Sequence, residues 1–302
     1  MKLPRLALMS LVASTLSTAT PTDGTVIPLW PEGVPGAKPD LGPEIHEDGR
    51  IENISEPTLT YFAPAVDKPN GTAVIISPGG GYVRLSTERE GVQYARWLGT
   101  LGITSFVLKN RMKEFGHPAP LQDVLRAVRM VRSRATEFGI NPDRIGAMGS
   151  SAGGHLTASA GTLFDHPAGK SGDSMDAVNA RPDFLILMYP VISMDDPVAH
   201  AGSRKYLLGD HPSPELLNLM SLEKQVTAHT PPTLLIHTQE DASVPIENSI
   251  RFFQALTKAG VPAEFYAFEH GAHGMGMKAG LGTASDWPRR VEEWLRDRGL
   301  IP

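Results

Sequence analysis

Short unbroken apolar runs alternate along this chain with longer stretches in which apolar residues recur every three or four positions. The runs fall at residues 72–77, 103–108, 144–148, 184–189, 233–238 and 264–268. They are rich in Val, Ile, Leu and Phe. A strand that is apolar at every position is buried on both faces, which predicts a parallel sheet rather than a half-solvated one. Between the runs, Leu121, Val124, Leu125, Val128, Val131, Ala135 and Phe138 form one stripe on a helix that Gly139 and Pro142 stop. Further helices are predicted over 250–259, ended by Gly260, and over 287–295.

Buried strands alternating with helices predict an α/β fold, a mostly parallel central sheet with helices on both faces. In such sheets ligands sit beyond the carboxyl ends of the strands, so the residues just after each strand are the ones to search for chemistry. The segment from about 194 to 230 carries a predicted helix over 214–225 and reads as a small cap. Residues 21–56 are rich in Pro, Gly and Asp, show no helical period, and read as an extended arm lying over the domain. Residues 57–302 then form the catalytic domain. Residues 1–20 start basic, continue apolar from Leu6 to Leu16, and reach the small residues Ser17, Thr18 and Ala19. That pattern predicts a signal peptide and a secreted or periplasmic protein.

Composition narrows the function classes. With 41% hydrophobic and 20% charged residues, the chain is not of the disordered type. A net charge of -5 argues against a nucleic-acid partner. No later segment approaches the roughly 20 apolar residues of a membrane span, so no membrane partner is expected. There is no cysteine, which excludes thiol nucleophiles and thiolate zinc sites. Arg126, Arg129, Arg132 and Arg134 lie mostly off the helix stripe and read as a solvated basic face.

The chemistry concentrates at three strand ends. Gly149-Ser150-Ser151-Ala152-Gly153 fits G-x-S-x-G between a strand and a helix. The turn must be tight, so the residues two before and two after the nucleophile must be small. It lifts a hydroxyl clear of the sheet at a helix N-terminus, where developing negative charge is favoured. Ser151 fits that nucleophile position, and Ser150 is a rival with the wrong neighbours. A serine needs a base and an acid behind it, which on such a scaffold follow in the order Ser, acid, His. Asp241, after the fifth run, is the favoured acid, with Glu240 as competitor. His273, after the sixth run, is the favoured base, with His270 as competitor. Pro78-Gly79-Gly80-Gly81-Tyr82 follows the first run. A glycine run there can aim backbone N–H groups at an oxyanion, and Gly80, Gly81 and Ala152 are the expected donors. Tyr82 is expected beside the pocket as a substrate contact, with simple packing as the alternative. His155, Arg111 and Trp97 read as core or supporting residues.

These motifs resemble those of bacterial α/β-hydrolases that include acetylxylan esterases and bifunctional feruloyl and acetyl xylan esterases, the BD-FAE-like family. Gly271-Ala272-His273-Gly274, Leu29-Trp30-Pro31-Glu32-Gly33-Val34-Pro35-Gly36, Gly202-Ser203-Arg204-Lys205-Tyr206-Leu207-Leu208-Gly209 and Thr230-Pro231-Pro232-Thr233 add to the resemblance. It covers nearly all of the chain after the leader. It implies a serine esterase that takes acyl groups from acetylated or feruloylated polysaccharide or oligosaccharide, with Ser151, Asp241 and His273 as triad, no cofactor and no metal. One departure is Pro78, where many relatives have His; proline there lacks an N–H. Two rivals remain: a serine exopeptidase on the same scaffold, and a non-catalytic sugar-binding protein. The peptidases usually add a propeller or large cap domain and carboxylates for a free amine, and these residues have no room for a propeller. The binding proteins generally lose a triad member, and all three are present.

Overall fold

A computed structural model describes residues 20–302 of the chain, so the predicted signal peptide lies, but for residue 20, outside the described residues. Ten strands are placed among the described residues: β1 Val26–Pro28, β2 Ile45–Glu47, β3 Arg50–Glu52, β4 Thr58–Phe62, β5 Ala73–Ser77, β6 Thr104–Lys109, β7 Ile145–Ser150, β8 Phe184–Met188, β9 Thr233–Thr238 and β10 Ala263–Phe268. The helices are α1 Gln93–Thr100, α2 Ala119–Ser133, α3 Ala135–Phe138, α4 Ser151–Thr162, α5 Ala201–Leu208, α6 Pro214–Met220, α7 Glu247–Lys258 and α8 Trp287–Asp297. A π-helical turn, Glu88–Val92, leads into α1.

Eight strands make one sheet in the order β1-β4-β6-β5-β7-β8-β9-β10. The strands from β6 to β10 pair in parallel, whereas β1 and β4 run antiparallel at one edge. The unbroken apolar runs now have their cause. On β5, Ala73 and Ile75 enter a core with α2, α4 and α7, while Val74 and Ile76 enter a second core with α1 and α8. On β8, Leu185 and Leu187 face the first core, and Phe184, Ile186 and Met188 the second. Side chains alternate faces along a strand, so two buried faces require an apolar residue at every position.

Several elements were not predicted. The arm supplies β1 and the β2–β3 hairpin, and β4 and α1 also lie outside the predicted set. The stripe helix is two helices, α2 and α3, broken at Arg134 (φ -105°, ψ 19°). The cap helix predicted over 214–225 stops at Met220 and continues as a 3-10 turn over Leu222–Lys224.

The basic face of α2 is a correction. Arg126 and Arg129 are 4% and 3% exposed, not solvated. The arm and the segment following α4 fold over α2 and bring carboxylates with them. Arg126 pairs with Glu32 and Asp173, Arg129 with Asp176 at 3.2 Å, and Arg132 with Asp183 at 3.0 Å. Nearby, fully buried Asp123 holds the arm to the domain. Its Oδ1 accepts from Trp30 Nε1 at 2.8 Å and from Arg111 Nη2 at 2.8 Å, and its Oδ2 accepts from the Arg111 backbone N–H at 2.8 Å. Arg111 is thus a supporting residue, as read. Trp97 is half-buried and packs edge-on against Trp287.

Removing Asp123 leaves a buried guanidinium without its counter-charge and an indole N–H without an acceptor. Asp123→Ala is expected to lower unfolding stability by ~3–5 kcal/mol, read as a fall in the urea midpoint. Breaking the exposed Arg289–Glu293 pair should leave the midpoint where it was.

Candidate active site

The parallel register sets the carboxyl ends of β5, β7, β9 and β10 along one edge of the sheet. Ser151 follows β7 directly, Asp241 lies three residues past β9, and His273 five past β10. Ser151 has φ +55°, a left-handed backbone for a residue with a side chain. The chain turns there from strand to helix, and neighbouring backbone crowds it. A Cβ at Gly149 would sit 2.2 Å from Gly153 O, and one at Gly153 would sit 2.1 Å from Ser77 O. The two glycines are what let β7, α4 and the end of β5 meet.

The three distant side chains come together. Ser151 Oγ lies 2.8 Å from His273 Nε2, and His273 Nδ1 lies 2.6 Å from Asp241 Oδ2. With the Nδ1–H donated to the carboxylate, Nε2 is left to accept the serine hydroxyl proton. Asp241 is 6% exposed. Its other oxygen accepts from the N–H groups of Ser243 and Val244, each at 2.9 Å. Burial by itself raises the Asp241 carboxyl, but the polar groups beside it, His237, His273 and the Val244 N–H, outweigh it and hold the group well below the ordinary carboxylate range. His237 is fully buried, with Nε2 3.4 Å from Asp241 Oδ2. The rivals pair with each other outside this cluster: His270 Nδ1 contacts Glu240 Oε1 at 2.9 Å, both well exposed.

The glycine loop after β5 lies against Ser151. The Gly79 N–H donates to Glu90 Oε2 at 2.9 Å. Gly80 (φ +137°) and Gly81 (φ +69°) turn the chain back on itself, and the Gly80 carbonyl accepts from the N–H groups of Val83 and Arg84, each at 3.2 Å. Among the described residues, no acceptor is bonded to the N–H of Gly80 or Gly81. Ala152, in the first turn of α4, has no intrahelical partner for its N–H either. A cleft of about 410 Å3 opens over these groups, lined by Gly80, Gly81, Ser151 and His273 together with arginines and residues of α5. A larger groove of about 790 Å3 runs beneath the arm past Trp30 and Val34, but it holds no hydroxyl paired with a base.

Tyr82 is a correction. Expected beside the pocket, it is 4% exposed and does not line the cleft. Its φ of +61° turns the ring inward, where its hydroxyl donates to His155 Nδ1 at 2.8 Å. His155 Nε2 donates in turn to Met220 O at 2.9 Å. This chain of bonds ties the glycine loop to α4 and the cap.

Four residues around the cleft had no role in the sequence reading. Glu90 is buried and accepts from the Tyr189 hydroxyl at 2.8 Å as well as from Gly79. Burial pushes its carboxyl up, opposed by those two hydrogen bonds and by His273 and Arg89 nearby. The Tyr189 ring packs edge-on to His273 with centroids 5.1 Å apart. His200 caps α5 by accepting the Ser203 N–H at Nδ1, 3.1 Å, which leaves its Nε2–H as a donor at the cleft. Burial, then repulsion from His273, pushes its imidazole below the usual value. Tyr206, on the same helix, is 37% exposed at the cleft. The sequence signal for His200 and Tyr206 is their place just before and on the Gly202–Gly209 stretch. No sequence signal marks Glu90, whose partners are remote.

A family model described as BD-FAE matches residues 59–256. An acetylxylan esterase of Xylanibacter ruminicola is 36% identical over 259 residues, which is 84% of this chain and 48% of that protein. An endo-1,4-beta-xylanase B of Butyrivibrio fibrisolvens is 38% identical over 206 residues, 67% of this chain and 32% of that protein. The chain therefore spans about half or less of the curated relatives that it matches first. Among solved structures, an acetyl ester-xyloside bifunctional hydrolase from Caldicellulosiruptor lactoaceticus superposes with a TM-score of 0.82 at 39% identity, covering 95% of this chain and 100% of that one.

The low-lying Asp241 carboxyl predicts a pH signature. A carboxyl held below its unfolded value of about 3.9 contributes stability that is complete above that pH and is lost as the pH falls through the folded value. Asp241→Asn is therefore expected to unfold at lower urea than the wild type at pH 7. The gap should close as the pH drops below about 4, and a gap that stays constant with pH contradicts the assignment.

Proposed function

Since the chain belongs to the BD-FAE family, we propose that it is a serine carboxylic-ester hydrolase that removes acetyl groups from xylan-type polysaccharide or its oligosaccharides. The observation that carries this reading is the bonded series Ser151–His273–Asp241, at 2.8 and 2.6 Å, beside the unbonded N–H groups of Gly80 and Gly81. Ser151 Oγ attacks the acyl carbonyl while His273 Nε2 takes its proton. The carbonyl oxygen becomes an oxyanion and accepts from the N–H groups of Gly80, Gly81 and Ala152. Such donors are each worth roughly 3–4 kcal/mol elsewhere. His273 returns the proton to the leaving sugar hydroxyl as the carbon–oxygen bond breaks. Water then attacks the acyl-enzyme by the same route, and carboxylate and free serine result. Asp241 holds the imidazole tautomer and offsets the positive charge that forms on it.

The sugar reading draws on the relatives named above and on the cleft itself. An exposed tyrosine, Tyr206, and a histidine donor, His200, both line the cleft. A sugar ring offers an apolar face of C–H groups to an aromatic ring and hydroxyls to a donor. The exopeptidase reading asks for carboxylates that hold a free amine. The acid in this cleft is Glu90, buried and bonded to Gly79 and Tyr189, and the remaining charged lining is arginine. Export to the periplasm or medium is part of the proposal and rests on the composition of residues 1–20; fractionation and N-terminal sequencing of the mature protein check it.

Ser151→Ala is expected to cut acetate release from acetylated xylan and from p-nitrophenyl acetate by ~10^4-fold or more without loss of folding. Retention of most activity would overturn the mechanism. Gly80→Ala is expected to be comparably inactive in the same assays, because a Cβ there would lie 2.0 Å from Arg84 O at a φ that L residues avoid.

A further inference from the structure

Three arginines are among the residues that line the cleft over Ser151: Arg50, Arg84 and Arg89. Among the described residues, none of the three has a carboxylate within 4.0 Å or a side-chain hydrogen bond. Arginines elsewhere in the molecule are mostly paired. Arg111, Arg126, Arg129 and Arg132 have acids in the interior, and Arg289, Arg290 and Arg296 have them on the surface. Arg144 and Arg181 bond to backbone carbonyls instead, so what sets the cleft apart is that three arginines without acids stand together in one concavity.

The acids that come near do not neutralise it. Glu90 forms part of the wall and feels the charge of Arg89, but its two oxygens are engaged by Gly79 and Tyr189 and it makes no ion pair with any of the three. Glu47 pairs with Arg50 across the β2–β3 hairpin and Glu88 precedes Arg89, yet neither reaches ion-pair distance.

The three arginines stand on anchored backbone. Arg50 lies on β3, whose Ile51 exchanges backbone hydrogen bonds with Leu85 at 3.0 and 2.8 Å. Arg84 donates its N–H to the Gly80 carbonyl. The Arg89 stem packs so close to Gly276 that a Cβ there would lie 3.0 Å from its Cγ. Like charges held in one concave site repel one another, and an anion that enters relieves the repulsion while it gains charge-assisted hydrogen bonds. Guanidinium forks match the two oxygens of a carboxylate.

We propose that Arg50, Arg84 and Arg89 form a carboxylate subsite, so that the preferred ester carries a free carboxylate close to the scissile bond. That carboxylate belongs either to a uronic acid on the sugar or to the acyl group. The inference deepens the esterase reading and rests on it.

The test uses the full chain and matched substrates. One pair is an acetylated xylo-oligosaccharide with a glucuronic acid branch and the same compound after carboxyl reduction. The other is p-nitrophenyl hydrogen succinate and p-nitrophenyl acetate. In at least one pair, kcat/KM is expected to be ~10-fold higher for the acid. The pair that shows it assigns the charge to sugar or acyl group. The advantage should shrink as salt is added and fall towards one in Arg50→Gln, Arg84→Gln and Arg89→Gln, checked for native melting. Lysine at the same positions should restore part of it. Equal rates within both pairs, with robust turnover, overturn the subsite and leave the esterase. Binding of the branched acid but not its reduced form to the wild type by calorimetry, weakened by the arginine variants and with no ester cleaved, keeps the subsite and overturns the esterase.

Discussion

The turn at Ser151 is the constraint on which the other parts of the site depend. A side-chain-bearing residue at φ +55° is disfavoured by ~1–3 kcal/mol, and it persists only where packing over-determines it. Here the packing comes from both sides. Gly149 and Gly153 let the turn close against α4 and against the carbonyls at the end of β5. The same contact fixes how near the glycine loop after β5 comes to the serine, because that loop begins at the carbonyls touching Gly153. Nucleophile and N–H donors are therefore positioned by one steric event. Parallel pairing of β5 with β7, Ser77 opposite Gly149, sets the register in which it occurs.

Two buried acids flank His273, and their surroundings push them in opposite directions. Asp241 receives hydrogen bonds from His273 and two backbone N–H groups, with His237 3.4 Å away, and together these outweigh burial and hold its carboxyl low. Glu90 receives a tyrosine hydroxyl and a glycine N–H, and burial prevails. Glu90 also holds Gly79, so the loop that presents Gly80 and Gly81 is tied by its acid to the ring of Tyr189 that packs on His273.

How far the sequence could be read follows from the range of the interactions. The central strands were legible because burial on two faces leaves an apolar residue at every position, as along β5 and β8. The meeting of Ser151, Asp241 and His273 was legible because each follows a strand end and parallel strands share one edge. Features fixed by remote partners were not. β1 is three residues long and acquires its meaning from β4, over thirty positions on. Arg126 and Arg129 looked solvated because their acids, at positions 32, 173 and 176, come from segments that only the tertiary fold lays over α2. Tyr82 looked like a pocket residue because a left-handed backbone is not visible in residue order. With a φ of +61° its ring faces His155 instead.

The arm, read as a cover for the domain, is also a wall of its cleft. Trp30 is bonded to Asp123, and Ile51 pairs with Leu85 in the stretch that returns from the glycine loop. The second contact sets Arg50 at the cleft on the side of Arg84, while α5 supplies His200 and Tyr206. On the proposed reading, the sheet edge provides the bond-breaking groups, and the segments outside the central strands provide the surroundings of the substrate. Such a division lets one scaffold keep a fixed catalytic geometry while the residues of the cleft walls vary. It also explains why strand-end motifs announce the reaction class and remain silent on the substrate: the walls are built by contacts that cross from the arm and the cap to the loop over Ser151.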